Sequence, residues 1–175
     1  MTTETMRAAV ERAVKTEHGW EPGDIEIKEP ERIRMPPCSF FSVTHKVRPV
    51  HSALNYAVLP DGGVVSRREK DAATKIFAAC AAETGASAGS WAEVLARFHP
   101  EVGPGTVVYD QALVQEVFEP VEAAGKRFSP PAFVSGASDR TVEFYLMNYE
   151  TAVLYEVRVV RKQNGQLQVT KTKAG

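Results

Sequence analysis

The C-terminal part of the chain contains segments in which apolar and polar residues alternate. Residues 141–147 and 166–172 alternate, and residues 151–162 between them are long enough for one strand. Alternation with a period of two residues is typical of a β-strand with one buried and one solvent-exposed face. Asn164-Gly165 lies between the last two segments and favours a two-residue hairpin turn with positive φ at both positions. The pattern predicts an antiparallel tail that ends in a hairpin.

A second group of strand-like segments lies in the first half of the chain. Residues 24–28 alternate, and aromatic and β-branched residues are frequent in 38–47 and 52–59. Residues 60–63, Pro-Asp-Gly-Gly, form a strong turn sequence that leads into the short strand Val64-Val65. We expect an antiparallel meander here as well.

Helices are predicted before and between these groups of strands. Apolar residues at spacings of three and four over 6–14 form one stripe of a first helix, which Gly19 can end. Asp110 can cap a later helix whose apolar residues line up over 113–118.

Two further helix starts are predicted from capping boxes. Residues 66–69, Ser-Arg-Arg-Glu, and 90–93, Ser-Trp-Ala-Glu, both have the spacing in which serine and glutamate side chains satisfy free backbone amides. We expect the first of these helices to end near Gly85 and the second at Pro100.

The order of elements indicates an α+β fold. Two runs of strands separated by a run of helices predict a mostly antiparallel sheet of seven or eight strands, with three or four helices on one side. The order resembles that of helix-on-curved-sheet folds such as the cystatin-like group, a likeness of pattern that implies no function. We interpret residues 1–175 as one domain. The alternative is two helix-plus-meander lobes, 1–67 and 106–175, joined by a helical segment over 68–100.

One internal similarity supports the two-lobe alternative. Three strands and two turns follow one another in both 40–66 and 142–170, and residues 61–64 and 164–167 occupy equivalent places. Residue identity between the two is slight. We therefore favour coincidence between two meanders over duplication.

Composition excludes several classes of protein. The chain has 175 residues with 43% hydrophobic content, enough for a sizeable core. Its 21 Lys+Arg and 22 Asp+Glu leave a net charge of −1, which gives no overall field to attract nucleic acid. Residues 158–173 hold five basic and no acidic residues, but too few aromatics for a typical nucleic-acid surface. No apolar run approaches the length of a membrane span, so we expect no membrane partner.

The two cysteines, Cys38 and Cys80, do not form a disulfide framework or a metal motif. We interpret them as small buried hydrophobes, in preference to a reactive thiol or a single bridge. The N-terminal residues lead into a charged helix instead of an apolar signal core, so we expect the cytoplasm.

No familiar catalytic, nucleotide-binding or metal-binding motif is present, so we predict no cofactor, metal or catalytic residue. His45 and His51 bracket a turn and could form a metal or proton-transfer site, but partly exposed hairpin ends are favoured because no third ligand is specified. Glu143 and Glu156 could act as general acid and base. We favour a wet sheet face where they form ion pairs with Arg158 and Arg161.

Phe40 and Phe41 are consecutive, so in a strand they point to opposite faces. One ring is available to a partner unless the protein's own elements cover both faces, and we favour coverage of both.

The absence of motifs favours a non-catalytic protein-binding module, such as an inhibitor, an immunity-type protein or an adaptor. Its partner is expected to be another protein, bound by an open sheet face or by hairpin ends. The candidate partner-binding residues are Phe40, His45, His51, Tyr145 and Tyr149. The alternative is a small-molecule-binding protein or an enzyme with a pocket between a curved sheet and its helices.

Overall fold

The structure, a computed structural model, shows an α+β protein. It describes residues 1–47, 53–80, 85–110, 112, 114, 128–135, 139–148 and 150–174. These residues hold three α-helices and two antiparallel sheets, one of four strands and one of five, which confirms the predicted class. The chain divides into two compact units, Met1–Gly85 and Ala86–Gly175.

The first unit contains two α-helices, a 3₁₀ turn and a four-stranded sheet in the order β1-β2-β3-β4. Its elements are α1 (Thr3–His18), the 3₁₀ turn (Pro22–Asp24), β1 (Ile25–Lys28), β2 (Ser39–His45), β3 (Leu54–Val58), β4 (Val64–Ser66) and α2 (Ala72–Cys80). Each neighbouring pair of strands is antiparallel, as the predicted meander requires.

Helix α1 packs its apolar stripe on one face of this sheet. The Thr2 side chain caps the helix, and Gly19 ends it in the left-handed conformation at φ 68°. Val10 and Val14 are fully buried, and burying each stabilises the unit by about 1.5–3 kcal/mol. They belong to one cluster with Ile25, Phe41, Val43, Tyr56 and Val58.

Helix α2 begins later than its capping box predicts. The expected contact is present, since the Ser66 N–H donates to Glu69 Oε1 at 3.1 Å. The Glu69 N–H also donates to the Ser66 carbonyl, and the Ala72 N–H donates to the Glu69 carbonyl. These bonds close two successive turns, so the box stabilises a turn and the helix starts only at Ala72. The predicted start directly after Ser66 is wrong.

Cys38 and Cys80 form a disulfide within the first unit. Their Cα atoms lie 5.8 Å apart, a usual separation for a bridge, and the cysteines are 42 positions apart in the chain. The bridge joins the residue before β2 to the last residue of α2. Both cysteines are buried as predicted, but the favoured interpretation of two unbridged side chains is wrong. Their spacing carries no signal from which the pairing could be inferred.

The second unit contains α3 and a five-stranded antiparallel sheet. Its elements are α3 (Ala88–Phe98), β5 (Thr106–Val108), β6 (Ala132–Phe133), β7 (Arg140–Asn148), β8 (Val153–Arg161) and β9 (Leu167–Lys173). Four strands follow the order β5-β7-β8-β9, and β6 also pairs with β7. The predicted three-stranded tail is therefore confirmed in β7, β8 and β9.

Ser87 caps α3, although Ser90 was the predicted cap. The Ser90 N–H donates to Ser87 Oγ at 3.1 Å, and the helix begins at the residue after Ser87. The Glu93 carboxylate that would complete a box with Ser90 is bound elsewhere. It accepts a hydrogen bond from the Tyr109 hydroxyl at 3.1 Å and pairs with Arg97 at 2.9 Å.

The hairpin between β8 and β9 is confirmed, but its turn differs from the predicted one. The loop has three residues, 163–165, and is closed by the Gly165 N–H donating to the Lys162 carbonyl at 2.8 Å. Gly165 takes a positive φ of 83°, whereas Asn164 does not take a positive φ. This is the three-residue hairpin in which a left-handed glycine follows the turn.

The turn between β3 and β4, residues 60–62, has the same geometry. Gly62 takes a positive φ of 89°, and backbone hydrogen bonds across the loop match those of the later turn. The middle side chain of each loop, Asp61 or Asn164, accepts a hydrogen bond from the amide two residues later, at 2.8 and 3.0 Å. The two segments that the sequence suggests are equivalent thus fold into one kind of turn.

The helix predicted after Asp110 falls largely outside the described residues. Of residues 111–127, the structure describes Ala112 and Val114. Val114 is buried in a cluster with Val108 and Met147 of the second sheet. The helix itself stays a prediction.

Candidate partner-binding surface

The sheet of the second unit has two faces of opposite character. Val142 and Phe144 of β7 lie opposite Val159 and Val157 of β8, and all four are buried. Successive side chains of a strand point to opposite faces. The residues between these four therefore lie on the other side of the sheet, here called the outer face.

Part of the outer face is exposed across three adjacent strands. This open-face patch consists of Glu143 on β7, Glu156 and Arg158 on β8, and Thr170 and Thr172 on β9. The register aligns Glu143, Arg158 and Thr170 in one row. Glu156 and Thr172 form the next row. The side chains of Glu143 and Arg158 are 45% and 52% exposed, so the patch is open to solvent.

Tyr145 lies at the border between the open-face patch and the covered part of the same face. It is aligned with Glu156 on β8 and with Val108 on β5. Its ring packs edge to face on Phe128, with centroids 5.1 Å apart. Both rings pack against a buried apolar cluster formed by Val108, Val114, Met147, Leu154 and Ala174. The Tyr145 ring is thus fixed by Phe128 and the apolar cluster on one side and is partly exposed to solvent.

Two carboxylates lie beside Tyr145. Glu143 pairs with Arg158 at 3.1 Å, and in the described part of the chain Glu156 has no ion-pair partner. Burial, then the charges of Glu156 and Glu143, raise the pKa of the Tyr145 hydroxyl, so the phenol stays neutral. Two carboxylates and one guanidinium leave the patch negative, which favours a cation at Tyr145.

Two further predicted site residues, Phe40 and His45, lie in the first unit. Phe40 is 6% exposed and Phe41 is 1% exposed, so both rings are covered and Phe40 offers little surface to a partner. His45 ends β2, where its Nδ1 accepts a hydrogen bond from the Val47 N–H at 3.2 Å. Its ring meets Trp20 edge to face at 5.0 Å between centroids.

His51 and Tyr149 lie outside the described residues. Of the five candidate residues, the structure therefore places Tyr145 on the open face of the second unit, and Phe40 and His45 in the first unit. Phe40 and His45 lie five positions apart on β2, so their side chains point to opposite faces of that sheet.

The structure bears on the acid–base and metal alternatives. The predicted ion pair between Glu143 and Arg158 is present, and Glu143 lies on a solvated face with Glu156. The predicted pairing of Arg161 is wrong, since among the described residues neither Arg161 nor Glu156 forms an ion pair. Within the described ranges, no three histidine, cysteine or carboxylate side chains are grouped as a metal would require.

No partner-binding residue was predicted on β9, although this strand contributes to the surface. Thr170 and Thr172 alternate with Val169 and Lys171, so their shared face is visible in the pattern. Phe128, which borders the patch by packing on Tyr145, has no such signal because it precedes β7 by more than ten residues.

Comparison with known proteins gives no assignment, since no family model, no curated protein and no solved structure matches the chain. Among the described residues, no helix has the length and apolar character that crossing a membrane requires.

Proposed function

We propose that this chain is a non-catalytic protein-binding module that docks a partner on the open-face patch. The observation that carries the proposal is Tyr145, an anchored aromatic ring at the border of an exposed, charged sheet face. Tyrosine and arginine are, with tryptophan, the side chains enriched at the energetic centre of interfaces, and Arg158 lies on the same face. The threonines of β9 supply polar contacts around them.

The chemistry around Tyr145 favours a partner that presents a basic side chain, with arginine the best fit. A guanidinium can lie over the tyrosine ring, a contact that contributes about 0.5–2 kcal/mol. It can also bind the Glu156 carboxylate through two parallel hydrogen bonds. An inhibitor, an immunity-type protein or an adaptor would each use such a surface. Nucleic acid is not proposed as the partner, because phosphates would be repelled by the negative patch.

An NMR titration tests this surface directly. We expect a hexa-arginine peptide to shift the backbone amide signals of 143–145 and 156–158, and a hexa-glutamate peptide to leave them unchanged. Glu156→Gln should weaken the response several-fold. Glu150→Gln removes the same charge from the turn between β7 and β8 and serves as the matched control. Equal responses in the two variants, or no response in the parent protein, would overturn the proposal.

Capture from native lysate extends the test to a physiological partner. A protein bound by the parent chain should be lost with Tyr145→Ala and retained with Glu150→Gln. Retention by both variants would place the interface elsewhere.

The cytoplasmic location expected from the sequence is opposed by the buried Cys38–Cys80 disulfide, since bridges are rare in the cytoplasm. We propose an oxidising compartment in its place.

A further inference from the structure

We propose that the first unit binds a small ligand carrying one carboxylate or phosphate group, in a cleft lined by residues of that unit. The cleft lies between the end of α1, the start of β3 and the turn after β4, and has a volume of about 230 Å³. We call it the α1–β3 cleft. Its polar lining consists of Glu17, His18, Asn55, Tyr56, Ser66, Arg67 and Arg68.

Two adjacent arginines supply the positive charge of the α1–β3 cleft. Arg68 donates one hydrogen bond, to the Glu17 carbonyl at the end of α1, at 3.3 Å. In the described part of the chain, the Arg67 side chain forms no hydrogen bond or ion pair, although it is half-buried in the cleft wall. A guanidinium carries five N–H donors in a planar fork that matches carboxylate and phosphate oxygens. Most donors of this pair are therefore available to an oxyanion.

The one acidic side chain in the cleft is already bound. Glu17 Oε2 accepts a hydrogen bond from the Tyr56 hydroxyl at 3.2 Å. Burial, followed by the charge of Glu17, raises the pKa of Tyr56, so the phenol keeps its proton as donor. With one carboxylate against two guanidiniums, the cleft keeps one net positive charge. That charge balance suits a ligand with a single anionic group.

His18 and Asn55 shape the rest of the cleft without adding charge. Burial and the nearby Arg68 lower the pKa of His18, so its imidazole is neutral at pH 7. The Asn55 amide is fixed, because its oxygen accepts from Ser42 Oγ at 3.2 Å and its nitrogen donates to the Ala53 carbonyl at 3.1 Å. The net positive charge of the cleft is therefore carried by its two arginines.

The volume sets the size of the ligand. Pockets for drug-sized molecules usually occupy about 300–1,000 Å³, and the α1–β3 cleft is smaller. The ligand is therefore an oxyanion of few heavy atoms, such as inorganic phosphate or a short-chain carboxylate.

Calorimetric titration at pH 7 and constant ionic strength tests the proposal, with sodium phosphate and sodium acetate as probes and sodium chloride as the reference. We expect saturable binding of at least one probe, and the one that binds distinguishes a phosphate ligand from a carboxylate ligand. Arg67→Gln should weaken binding at least tenfold. Arg12→Gln, which removes an exposed arginine from α1, should leave it unchanged.

Arg67→Lys keeps the charge but removes the planar fork, so its affinity should lie between those of the parent and Arg67→Gln. If Arg67→Gln fails to fold by its NMR spectrum, Arg68→Gln replaces it with the same expectation. Absence of saturable binding to both probes, or equal affinity in Arg67→Gln and Arg12→Gln, would overturn the proposal. The open-face patch is untouched by these variants, so neither result bears on the protein-binding proposal.

Discussion

Each unit contains a glutamate, a tyrosine and arginine close together, and the two units use them in opposite ways. In the second unit, Glu93 is 7% exposed and is bound by both the Tyr109 hydroxyl and the Arg97 guanidinium. In the first unit, the Tyr56 hydroxyl binds Glu17, but among the described residues no arginine pairs with that carboxylate. The glutamate is therefore paired with an arginine in the second unit, a closed set, and not paired with one in the first unit, an open set.

The two glutamates differ in how far they are removed from water, which explains the contrast. A carboxylate removed from water is costly unless its charge is paired, so Glu93 needs Arg97 and the set serves stability. The Glu17 side chain keeps 28% exposure and is partly solvated. Because water solvates the Glu17 carboxylate, its charge does not require an arginine as partner. The arginines of the α1–β3 cleft are therefore available for a ligand.

Removal of the disulfide should destabilise the first unit strongly and leave the second unit unchanged. Replacing Cys38 and Cys80 together with alanine removes a bridge between residues 42 positions apart, which should lower the free energy of unfolding of the first unit by about 2–4 kcal/mol. The chain has two tryptophans, Trp20 in the first unit and Trp91 in the second. Fluorotryptophan labelling therefore gives one ¹⁹F signal per unit in a urea titration.

The unfolding midpoint reported by Trp20 should shift to a lower urea concentration, and the midpoint reported by Trp91 should be unchanged. Equal displacement of both signals would show that the units unfold as one. Dithiothreitol added to the parent protein should reproduce the effect, and the absence of any change would mean that the bridge does not form in solution.

A smaller effect is expected from removing one hydroxyl in each unit. Tyr109→Phe should destabilise the second unit by about 1.5–3 kcal/mol, because the buried Glu93 carboxylate loses a charge-assisted hydrogen bond. Tyr56→Phe should cost the first unit about 0.5–1.5 kcal/mol, because water can replace the hydroxyl at the partly solvated Glu17. Urea unfolding of both variants measures the difference. A larger loss for Tyr56→Phe would contradict the distinction between closed and open sets.

The smallest effect is a pH dependence that both units share. His18 ends α1 and His99 caps the end of α3, and burial lowers the pKa of both below the ordinary value. Because the folded pKa lies below the unfolded value of about 6.5, stability is fully present above that pH and declines as the pH falls below it. The charge of Arg68 adds to this effect at His18, and the charge of Glu101 opposes it at His99.

Unfolding measured between pH 7.5 and 5 should therefore show a decline in both units. His18→Gln should flatten the decline in the first unit alone. If the stability of the first unit declines equally in His18→Gln, the pH dependence arises from carboxylates and not from His18.

The elements that were predicted correctly are those whose signal is local. Helix α1 can be recognised from its apolar stripe, which includes Val10 and Val14. Strands β7, β8 and β9 can be recognised from the alternation of apolar and polar residues. Gly19 acts where the chain must take a left-handed conformation, so its role is visible from the sequence. The cystatin-like pattern and a fourth helix stay predictions.

The features that were missed depend on residues distant in sequence. Nothing near Ser90 shows that Glu93 is bound by Tyr109, so a valid capping pattern gave the wrong helix start. Cys38 and Cys80 meet only because α2 returns to the start of β2. The α1–β3 cleft joins Glu17 to Arg68 across 51 positions, and no spacing rule connects them.

The length of the turn before β9 fixes which side chains of this strand belong to the open-face patch. A shift of one position in strand pairing sends each side chain to the opposite side of a sheet. Deleting one residue from 163–165 would therefore turn Thr170 and Thr172 inward and bring Val169 and Lys171 outward. The chemical character of the part of the surface that β9 contributes is in this way decided by the length of a single loop.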